Sequence, residues 1–294
     1  MSPDLVVDAD TKDYWEAAAT THGTTPTDRY YHLDEVVAGG TLMTPLEEAA
    51  LARATGADLA APLVGVAGLD VLHLQSHIGV DGVVMARAGA RVTCADYSAT
   101  ALGRAQDLAA QAGVTIETVE TDARDLPSSL HGRFDVVYAT IGAICWIDDL
   151  DLWMRQVSVA LRPGGVLVMV ELHPAYQMFD SLSPDTVCDF AYGGGVGFTY
   201  TGTGSYADPT AINESTTTSF AHSIADVVMS GLRAGLTLEH LEEHDSIAFN
   251  PRGDHVLTQG DDGLHRFLLG RGTRPGEPPK PLPVAFTYLA RKPL

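Results

Sequence analysis

The stretch VLHLQSHIGVDG, residues 71–82, decides how the chain is interpreted. An apolar run, a short irregular segment and a second apolar run with helical spacing are typical of a strand–turn–helix unit that binds a nucleotide. Such turns usually carry two or three glycines, whereas here Gly79 is the only one and His73, Gln75 and His77 occupy the other positions. The stretch therefore predicts a nucleotide-binding turn of unusual composition.

The composition excludes several classes of partner. The chain has 294 residues, a formal net charge of −20 and only three lysines. Such a surface repels phosphate backbones and anionic lipids, so we expect no unaided binding to nucleic acid or membranes and a small neutral or cationic substrate instead. The N-terminal stretch MSPDLVVDADTKD lacks a signal peptide pattern and no apolar run approaches a membrane span, which predicts a cytoplasmic protein. The scattered cysteines match no metal spacing, and no metal is expected.

The hydrophobic pattern divides the chain into two parts. Residues 1–60 are helical in pattern and predict an N-terminal helical cap. From residue 69 short apolar strands alternate with helices, which is typical of a parallel sheet with helices on both faces. We therefore predict an α/β, Rossmann-like catalytic domain over 61–294. It carries an inserted lid at about 173–220, where Gly, Tyr and Thr are frequent, and we expect the helix DLDLWMRQVSVALRPGG to be stopped by Pro163 and Gly164.

Two acidic residues at neighbouring strand ends indicate the cofactor. Asp96 follows the second predicted strand, where it can accept hydrogen bonds from both ribose hydroxyls; the alternative interpretation is a helix cap. Asp122 follows the third strand, where it can accept from an adenine amine while the Ala123 N–H faces a ring nitrogen. Nicotinamide enzymes favour G-x-G-x-x-G and rarely repeat an acid at this place. The pattern fits S-adenosylmethionine better, because that cofactor has no pyrophosphate that demands close backbone approach.

At these residues the chain resembles the class I S-adenosylmethionine-dependent methyltransferases. More narrowly, HLQSHIGVD resembles the first motif H-L-Q-C-H-x-G-x-D of a bacterial subgroup, with Ser76 in the place of the cysteine. The resemblance extends through GARVTCADYS, FDVVYATIGAICWIDDLDLW, LRPGGVLVMVELHP, GSYADP, HSIADVV and LARKP, and it also covers DYWEAAATTH. It implies a seven-stranded methyltransferase sheet whose last strand is antiparallel to the others, and it does not name a substrate.

Thirteen residues are predicted to contact the cofactor. They come from the start of the cap, from the first motif, and from the ends of the second, third and fourth strands. They are Tyr14, Trp15, His73, Gln75, Ser76, His77, Gly79, Asp96, Tyr97, Ser98, Asp122, Ala123 and Thr140.

Three histidines are candidates for the chemistry. Methyl transfer is an in-line displacement, and a hydroxyl acceptor benefits from a general base near neutral pH. His173 is the first choice, with His222 and His22 as further candidates. The alternative interpretations are a hydrogen bond that braces the insertion, a helix N-cap and an exposed loop residue, respectively. Aromatic side chains that we expect at the substrate are Trp146, Tyr192 and Tyr206, with Tyr200 as a weaker candidate.

The sequence thus favours an enzyme that methylates an oxygen or nitrogen of a small molecule in bacterial specialised-metabolite biosynthesis. One alternative is a repurposed member that binds the cofactor but performs a cyclisation or a non-catalytic role. A second is an NAD(P)-dependent oxidoreductase, which the missing glycines and lysines disfavour. The Gly/Tyr-rich insertion fits a lid or a contact within a homo-oligomer.

Overall fold

A computed structural model describes residues 9–179, 187–250, 256–268 and 280–294. Most of the N-terminal stretch used for the leader prediction, part of the predicted insertion and much of the proline-rich segment 274–283 lie outside these ranges. Within the described ranges, no helix has both the length and the apolarity that crossing a membrane requires.

The centre of the molecule is a seven-stranded sheet in the order β3-β2-β1-β4-β5-β12-β8. In this order, the strands are β3 (Glu117–Glu120), β2 (Arg91–Asp96), β1 (Asp70–Leu74), β4 (Phe134–Ala139), β5 (Leu161–Leu172), β12 (Ala285–Arg291) and β8 (Thr237–His244). The first five strands pair in parallel, whereas β12 is antiparallel to both β5 and β8. The predicted seven-stranded methyltransferase sheet with an antiparallel last strand is confirmed.

Helices cover both faces of the sheet because each strand is apolar on both sides. Val71 and Leu72 are adjacent on β1 yet belong to two separate apolar clusters, since successive side chains of a strand alternate between faces. The helices are α1 (Ala9–Thr21), α2 (Leu33–Val37), α3 (Pro45–Thr55), α4 (Val80–Arg87), α5 (Ala99–Gln111), α6 (Leu150–Ala160), α7 (Pro174–Gln177) and α8 (Ile224–Arg233). The cluster with Val71 packs under α4 and α5, and the cluster with Leu72 packs under α6 and α8.

The predicted end of the sixth helix is wrong. Helix α6 ends at Ala160, and Pro163 and Gly164 lie within β5, which begins at Leu161. Leu161 already has extended dihedrals and pairs with Phe134 of β4. The ladder between β4 and β5 shifts register between Phe134 and Val136, and such an irregularity accommodates a proline that has no N–H to donate.

Smaller elements lie at the edge of the sheet where the parallel strands end. The hairpin of β6 (Val196–Gly202) and β7 (Ser215–Ala221) falls within and just beyond the predicted insertion. Helix α1 lies against this hairpin, with the Thr218 N–H donating to Thr11 Oγ1 at 2.9 Å. A three-stranded sheet of β9 (Leu257–Gln259), β10 (His265–Leu268) and β11 (Pro281–Leu282) lies apart from the main sheet.

Candidate functional site

The loop between β1 and α4 keeps a glycine-like backbone with few glycines. Gln75 has φ 56° and His77 has φ 48°, the two positive values among the described non-glycine residues, and Gly79 has φ 71°. We call residues 75–79 the motif loop. Every second residue of this loop (75, 77 and 79) therefore has the left-handed backbone conformation that glycine tolerates best. Each non-glycine residue in that region costs roughly 1–2 kcal/mol, so neighbouring contacts must hold it there.

Hydrogen bonds hold both strained residues. The Gln75 amide donates to the Ala143 carbonyl at 3.0 Å and accepts from the Trp153 indole N–H at 2.9 Å. The His77 backbone N–H donates to Asp96 Oδ2 at 2.8 Å. These bonds tie the motif loop to the ends of β4 and β2, so its conformation depends on side chains that a glycine would not supply.

Asp96 lies at the end of β2 and lines a cavity above the motif loop. Its Oδ1 accepts from the Ser98 N–H at 2.9 Å, while its Oδ2 accepts from His77. A carboxylate has about four lone-pair sites, so two remain for the hydroxyls of a ribose. Burial raises the pKa of Asp96 to about 6, against the backbone donors that lower it. Ser98, two residues after Asp96, caps α5 by accepting from the Ala101 N–H at 3.0 Å.

Asp122 is held by an ion pair. Strand β3 ends at Glu120, so Asp122 comes after the strand in a turn, where Arg124 reaches its Oδ2 at 2.7 Å. Arg124 also contacts Asp148 at 2.5 Å. Burial raises the pKa of Asp122, but the hydrogen bonds from Arg124 outweigh this and hold it below its usual value. Asp122 and Ala123 do not line the cavity, and the ion pair leaves fewer lone pairs for the predicted contact with an adenine amine.

The cavity has a volume of about 660 Å³ and gathers most of the predicted residues. Ser76, Thr140 and Tyr200 line it. Ten further residues that were predicted to contact the cofactor or the substrate, all with polar or aromatic side chains, also line it. Those ten are Tyr14, Trp15, His73, Gln75, His77, Asp96, Tyr97, Trp146, Tyr192 and Tyr206. Gly79 and Ser98 lie under this surface, where they shape the start of α4 and α5.

Aromatic rings from distant segments form one side of the cavity. The Trp15 ring on α1 lies edge-on to Trp146, with centroids 5.4 Å apart, and Tyr14 stacks on Trp146 at 6.4 Å. Tyr206, from the predicted insertion, lies 6.5 Å from Trp15 and shares a short hydroxyl–hydroxyl contact with Tyr31. We call this side, residues 9–31 together with 187–221, the roof.

Polar contacts join the two halves of the roof. Asp208 accepts from the hydroxyls of Thr25 and Thr27, each at 2.5 Å. The Arg29 N–H donates to the Ala207 carbonyl at 2.8 Å. The segment after α1 is thereby fixed to the segment between β6 and β7.

None of the three predicted catalytic histidines lines the cavity. Nδ1 of His173 accepts from the Ala175 N–H at 3.1 Å, which caps α7, and its Nε2 contacts Glu243 at 2.7 Å. Nε2 of His222 bonds to the Ile147 carbonyl at 2.6 Å. His173 therefore has a structural role at the start of the insertion, whereas His222 is not the helix N-cap that its alternative interpretation named, because Ser223 caps α8. With these contacts, neither histidine faces the cavity as a base.

His22 joins the roof to the motif loop. Its Nδ1 lies 2.9 Å from His77 Nε2, and its Nε2 lies 2.8 Å from the Ser205 hydroxyl. Burial, partly offset by Asp28, lowers the pKa of His22 to about 4. It is fully buried and not an exposed loop residue as the alternative interpretation had it, because α1 and the insertion close over it. With both nitrogens engaged, His22 is suited to positioning and not to proton transfer.

Sequence reasoning missed Glu171, which shapes the wall after β4. This carboxylate is buried and accepts from the N–H groups of Gly142, Ala143 and Ile144 at 2.6, 2.9 and 3.1 Å. Burial raises its pKa to about 7 even though these donors lower it. Glu171 therefore holds the loop that carries Cys145 and Trp146 into the cavity. An acid at the end of the apolar run VLVMVEL was the available signal.

Comparison with known proteins identifies the domain that bears the motif loop. A family model described as a methyltransferase domain matches residues 71–165. The chain carries a class I methyltransferase domain. It is also similar to YbaJ, an uncharacterized methyltransferase of Bacillus subtilis, with 33% identity over 40% of this chain. The match spans less than half, 45%, of the length of YbaJ, so it concerns this domain.

Solved structures support the fold over a longer range. A crystal structure of an S-adenosylmethionine-dependent methyltransferase from Clostridium acetobutylicum has a TM-score of 0.54 at 12% identity, covering 89% of this chain and 96% of that one. The [4+2]-cyclase SpnF has a TM-score of 0.53 at 14% identity over 97% of this chain and 94% of its own. A structure described by the conversion of a disulfide bond into a thioacetal group during echinomycin biosynthesis has a TM-score of 0.57 at 19% identity, covering 96% of this chain and 93% of that one.

S-adenosylmethionine is the cofactor that this domain implies, and the cavity fits it. Asp96 offers lone pairs at the place where a ribose is held in this fold. The Ser76 hydroxyl is 4% exposed as a residue and has no hydrogen-bond partner within the described ranges, although it lines the cavity. An unpartnered buried hydroxyl is expected where a ligand supplies the missing bond. Asp96, Tyr97 and the motif loop are therefore the residues that would hold the cofactor.

Proposed function

We propose that the protein transfers a methyl group from S-adenosylmethionine to a nitrogen or oxygen of a small molecule. The observation that carries this proposal is a cavity in which Asp96 and the motif loop face the aromatic roof. Its volume of about 660 Å³ lies in the range of small-molecule sites. A bound cofactor supplies the activated methyl group, and the rest of this cavity is the space for an acceptor.

The chain's own residues would align the acceptor and exclude water. In-line displacement needs the attacking atom near the methyl group and in line with the bond that breaks. The Trp15, Trp146 and Tyr206 rings narrow the cavity, and Glu171 fixes the loop that positions Trp146. Since no predicted catalytic histidine lines the cavity, we infer that alignment contributes more than a histidine base.

The strong negative charge and the aromatic walls favour a small molecule as substrate over a macromolecule. A nucleic acid would be repelled by the net charge of −20. A substrate from bacterial specialised metabolism and a contact of the insertion with a second copy of the chain are parts of this proposal, supported by the family resemblance and by the Gly/Tyr-rich composition of the insertion.

The proposal is tested first by cofactor binding and then by turnover. Calorimetry with S-adenosylmethionine should show binding, while NAD(P) should not bind; the reverse result would support the oxidoreductase alternative. Transfer of radiolabelled methyl from the cofactor to a panel of amines and phenols then tests the chemistry. Tight cofactor binding without methyl transfer to any acceptor would favour a repurposed member, and the fold similarity to a [4+2]-cyclase makes this the second candidate.

A further inference from the structure

One buried and one partly buried carboxylate, neither with a cationic partner among the described residues, lie beside the cavity. Glu47 of α3 is 2% exposed, and Asp81, in the first turn of α4, lines the cavity. Thr140 donates its hydroxyl to Glu47 Oε1 at 2.8 Å, and the Tyr138 hydroxyl lies 3.4 Å from Asp81 Oδ2. Neither carboxylate has an ion pair with a lysine or arginine of the described segments.

Part of the role of these acids is structural. Glu47 completes a capping box at the start of α3, accepting from the Thr44 N–H at 2.6 Å. A cap needs one acceptor oxygen, however, and an acid at the start of α4 is stabilised by the helix dipole without being enclosed. The cap and the dipole thus explain why each acid is tolerated separately, but not why the two lie together beside the cavity.

The charge of Glu47 acts on Asp81, and both carboxylates act on Tyr30. Burial raises the pKa of Asp81 well above its usual value, and the charge of Glu47 adds to this. The pKa of Tyr30, which lines the same part of the cavity, is raised by burial and by both carboxylates. Two like charges in a low dielectric are costly unless a proton or a cation compensates them.

His73 provides an independent sign of a missing ligand. It is 1% exposed and lines the cavity, and neither ring nitrogen has a hydrogen-bond partner among the residues described. His73 pairs in register with Tyr138, and their rings meet edge-on with centroids 5.3 Å apart. Burial lowers the pKa of His73 to about 3, so the ring is neutral and one nitrogen is a free acceptor.

We propose that Asp81, Glu47 and His73, here called the acidic corner, bind a basic nitrogen of the acceptor substrate. An ammonium group has three N–H donors and one positive charge, which match the acceptors that face the cavity and the negative charge of the two carboxylates. Asp81 and His73 face the ligand in the cavity, and Glu47 strengthens the negative potential from beneath the surface. This inference rests on the proposed function and names its substrate class as amines.

The nitrogen held in the acidic corner orients the substrate. An ammonium nitrogen has no lone pair to attack a methyl group, so the acceptor atom is a different one in the same molecule. Asp81, Glu47 and His73 are therefore positioning residues in this proposal.

The test compares two probes that differ in one group. Tyramine carries an amine where 4-(2-hydroxyethyl)phenol carries a hydroxyl. Each is titrated by calorimetry into the full chain saturated with S-adenosylhomocysteine. Wild type should bind tyramine roughly tenfold or more tightly than the alcohol, as expected for a charge-assisted contact. In Asp81→Asn this preference should disappear, while Asp107→Asn, which removes an exposed charge on α5, should keep it.

Glu47→Gln keeps an acceptor for the helix cap and serves as a second variant if Asp81→Asn does not fold. It should reduce the amine preference with little change in the affinity for S-adenosylhomocysteine. Equal binding of the two probes to wild type, or no binding of either, would overturn the inference. A loss of S-adenosylhomocysteine affinity in Asp81→Asn would also overturn it, because the acidic corner would then hold the cofactor. If S-adenosylhomocysteine does not bind to wild type at all, the proposed function itself fails.

Discussion

The two sides of the cavity are held in different ways. The side opposite the roof consists of the motif loop and the ends of β2, β4 and β5, and we call it the base of the cavity. There, carboxylates fix backbone groups: Asp96 binds the N–H groups of His77 and Ser98, and Glu171 binds three N–H groups of the loop after β4. On the roof, side chains from separate segments bind each other, as His22 does with Ser205 and Thr25 with Asp208. The base is thus set by strand ends that are near in the sheet, and the roof by pairs that are remote in the sequence.

This difference explains what the sequence could predict. The alternating apolar strands predict the sheet, and the end of β2 predicts Asp96, because both follow from local periodicity. The left-handed backbone of Gln75 and His77 was not predictable, since the bonds that hold it come from Trp153, Ala143 and Asp96. The scarcity of glycine predicted a nucleotide-binding turn of unusual composition. In the structure, the motif loop keeps the left-handed backbone that glycines usually supply, and only its side chains differ.

The roof and the acidic corner were less accessible to sequence reasoning. Glu47 is part of a helix start in the sequence, and Asp81 follows the motif loop; nothing local shows that α3 and α4 bring them together. His173 had a favourable position after β5, but its Nε2 meets Glu243, a residue 70 positions away. Pairings between distant segments decide these roles.

The largest effect we predict is on the stability of the base. In Gly79→Ala, a Cβ would lie 2.5 Å from the Ala105 Cβ, in addition to the strain of φ 71°. Gly113 has the same φ and nothing within 4 Å of its Cβ position, so Gly113→Ala is a matched control. We expect Gly79→Ala to lower the free energy of unfolding by about 3 kcal/mol and the control by about 1 kcal/mol. Urea unfolding measures both, and equal losses would show that α5 yields freely to the motif loop.

A second change should weaken cofactor binding more than it lowers stability, although an amide at this position leaves one of the N–H groups of His77 and Ser98 without an acceptor. Asp96→Asn keeps the shape but removes the charge that faces the cavity. We expect the dissociation constant for S-adenosylmethionine to rise at least about tenfold, since charge-assisted hydrogen bonds contribute roughly 1.5–3 kcal/mol. Calorimetry measures it, with the melting temperature as a check on folding. An affinity equal to wild type would leave Asp96 with only its hydrogen bonds to the backbone of His77 and Ser98.

The pH dependence of cofactor binding sharpens the same point. Burial raises the pKa of Asp96 to about 6, so the carboxylate is charged above that pH and protonated below it. The affinity for S-adenosylmethionine should therefore be full at pH 8 and fall as the pH drops through about 6, by up to about tenfold. Asp96→Asn should lack this step, which separates it from the titration of other groups. A step of the same size in the variant would assign the effect elsewhere.

The smallest effect concerns the roof alone. Asp208 does not line the cavity, yet it accepts from Thr25, Thr27 and Thr210 and so joins the two halves of the roof. Asp208→Asn replaces one acceptor oxygen with a donor, so at least one threonine hydroxyl loses its partner.

Because this loss is local, amide hydrogen exchange should become severalfold faster in residues 24–31 and 203–212 and stay unchanged in β1, β2 and β4. The affinity for S-adenosylmethionine should remain close to that of wild type, since Asp96 and the motif loop are untouched. Thr199→Val on the β6–β7 hairpin removes a hydroxyl pair with Thr218 that does not bridge the two halves, and it should leave exchange in 24–31 unchanged. Faster exchange throughout the sheet in Asp208→Asn would mean that the roof and the base unfold together, and the division between them would then not hold.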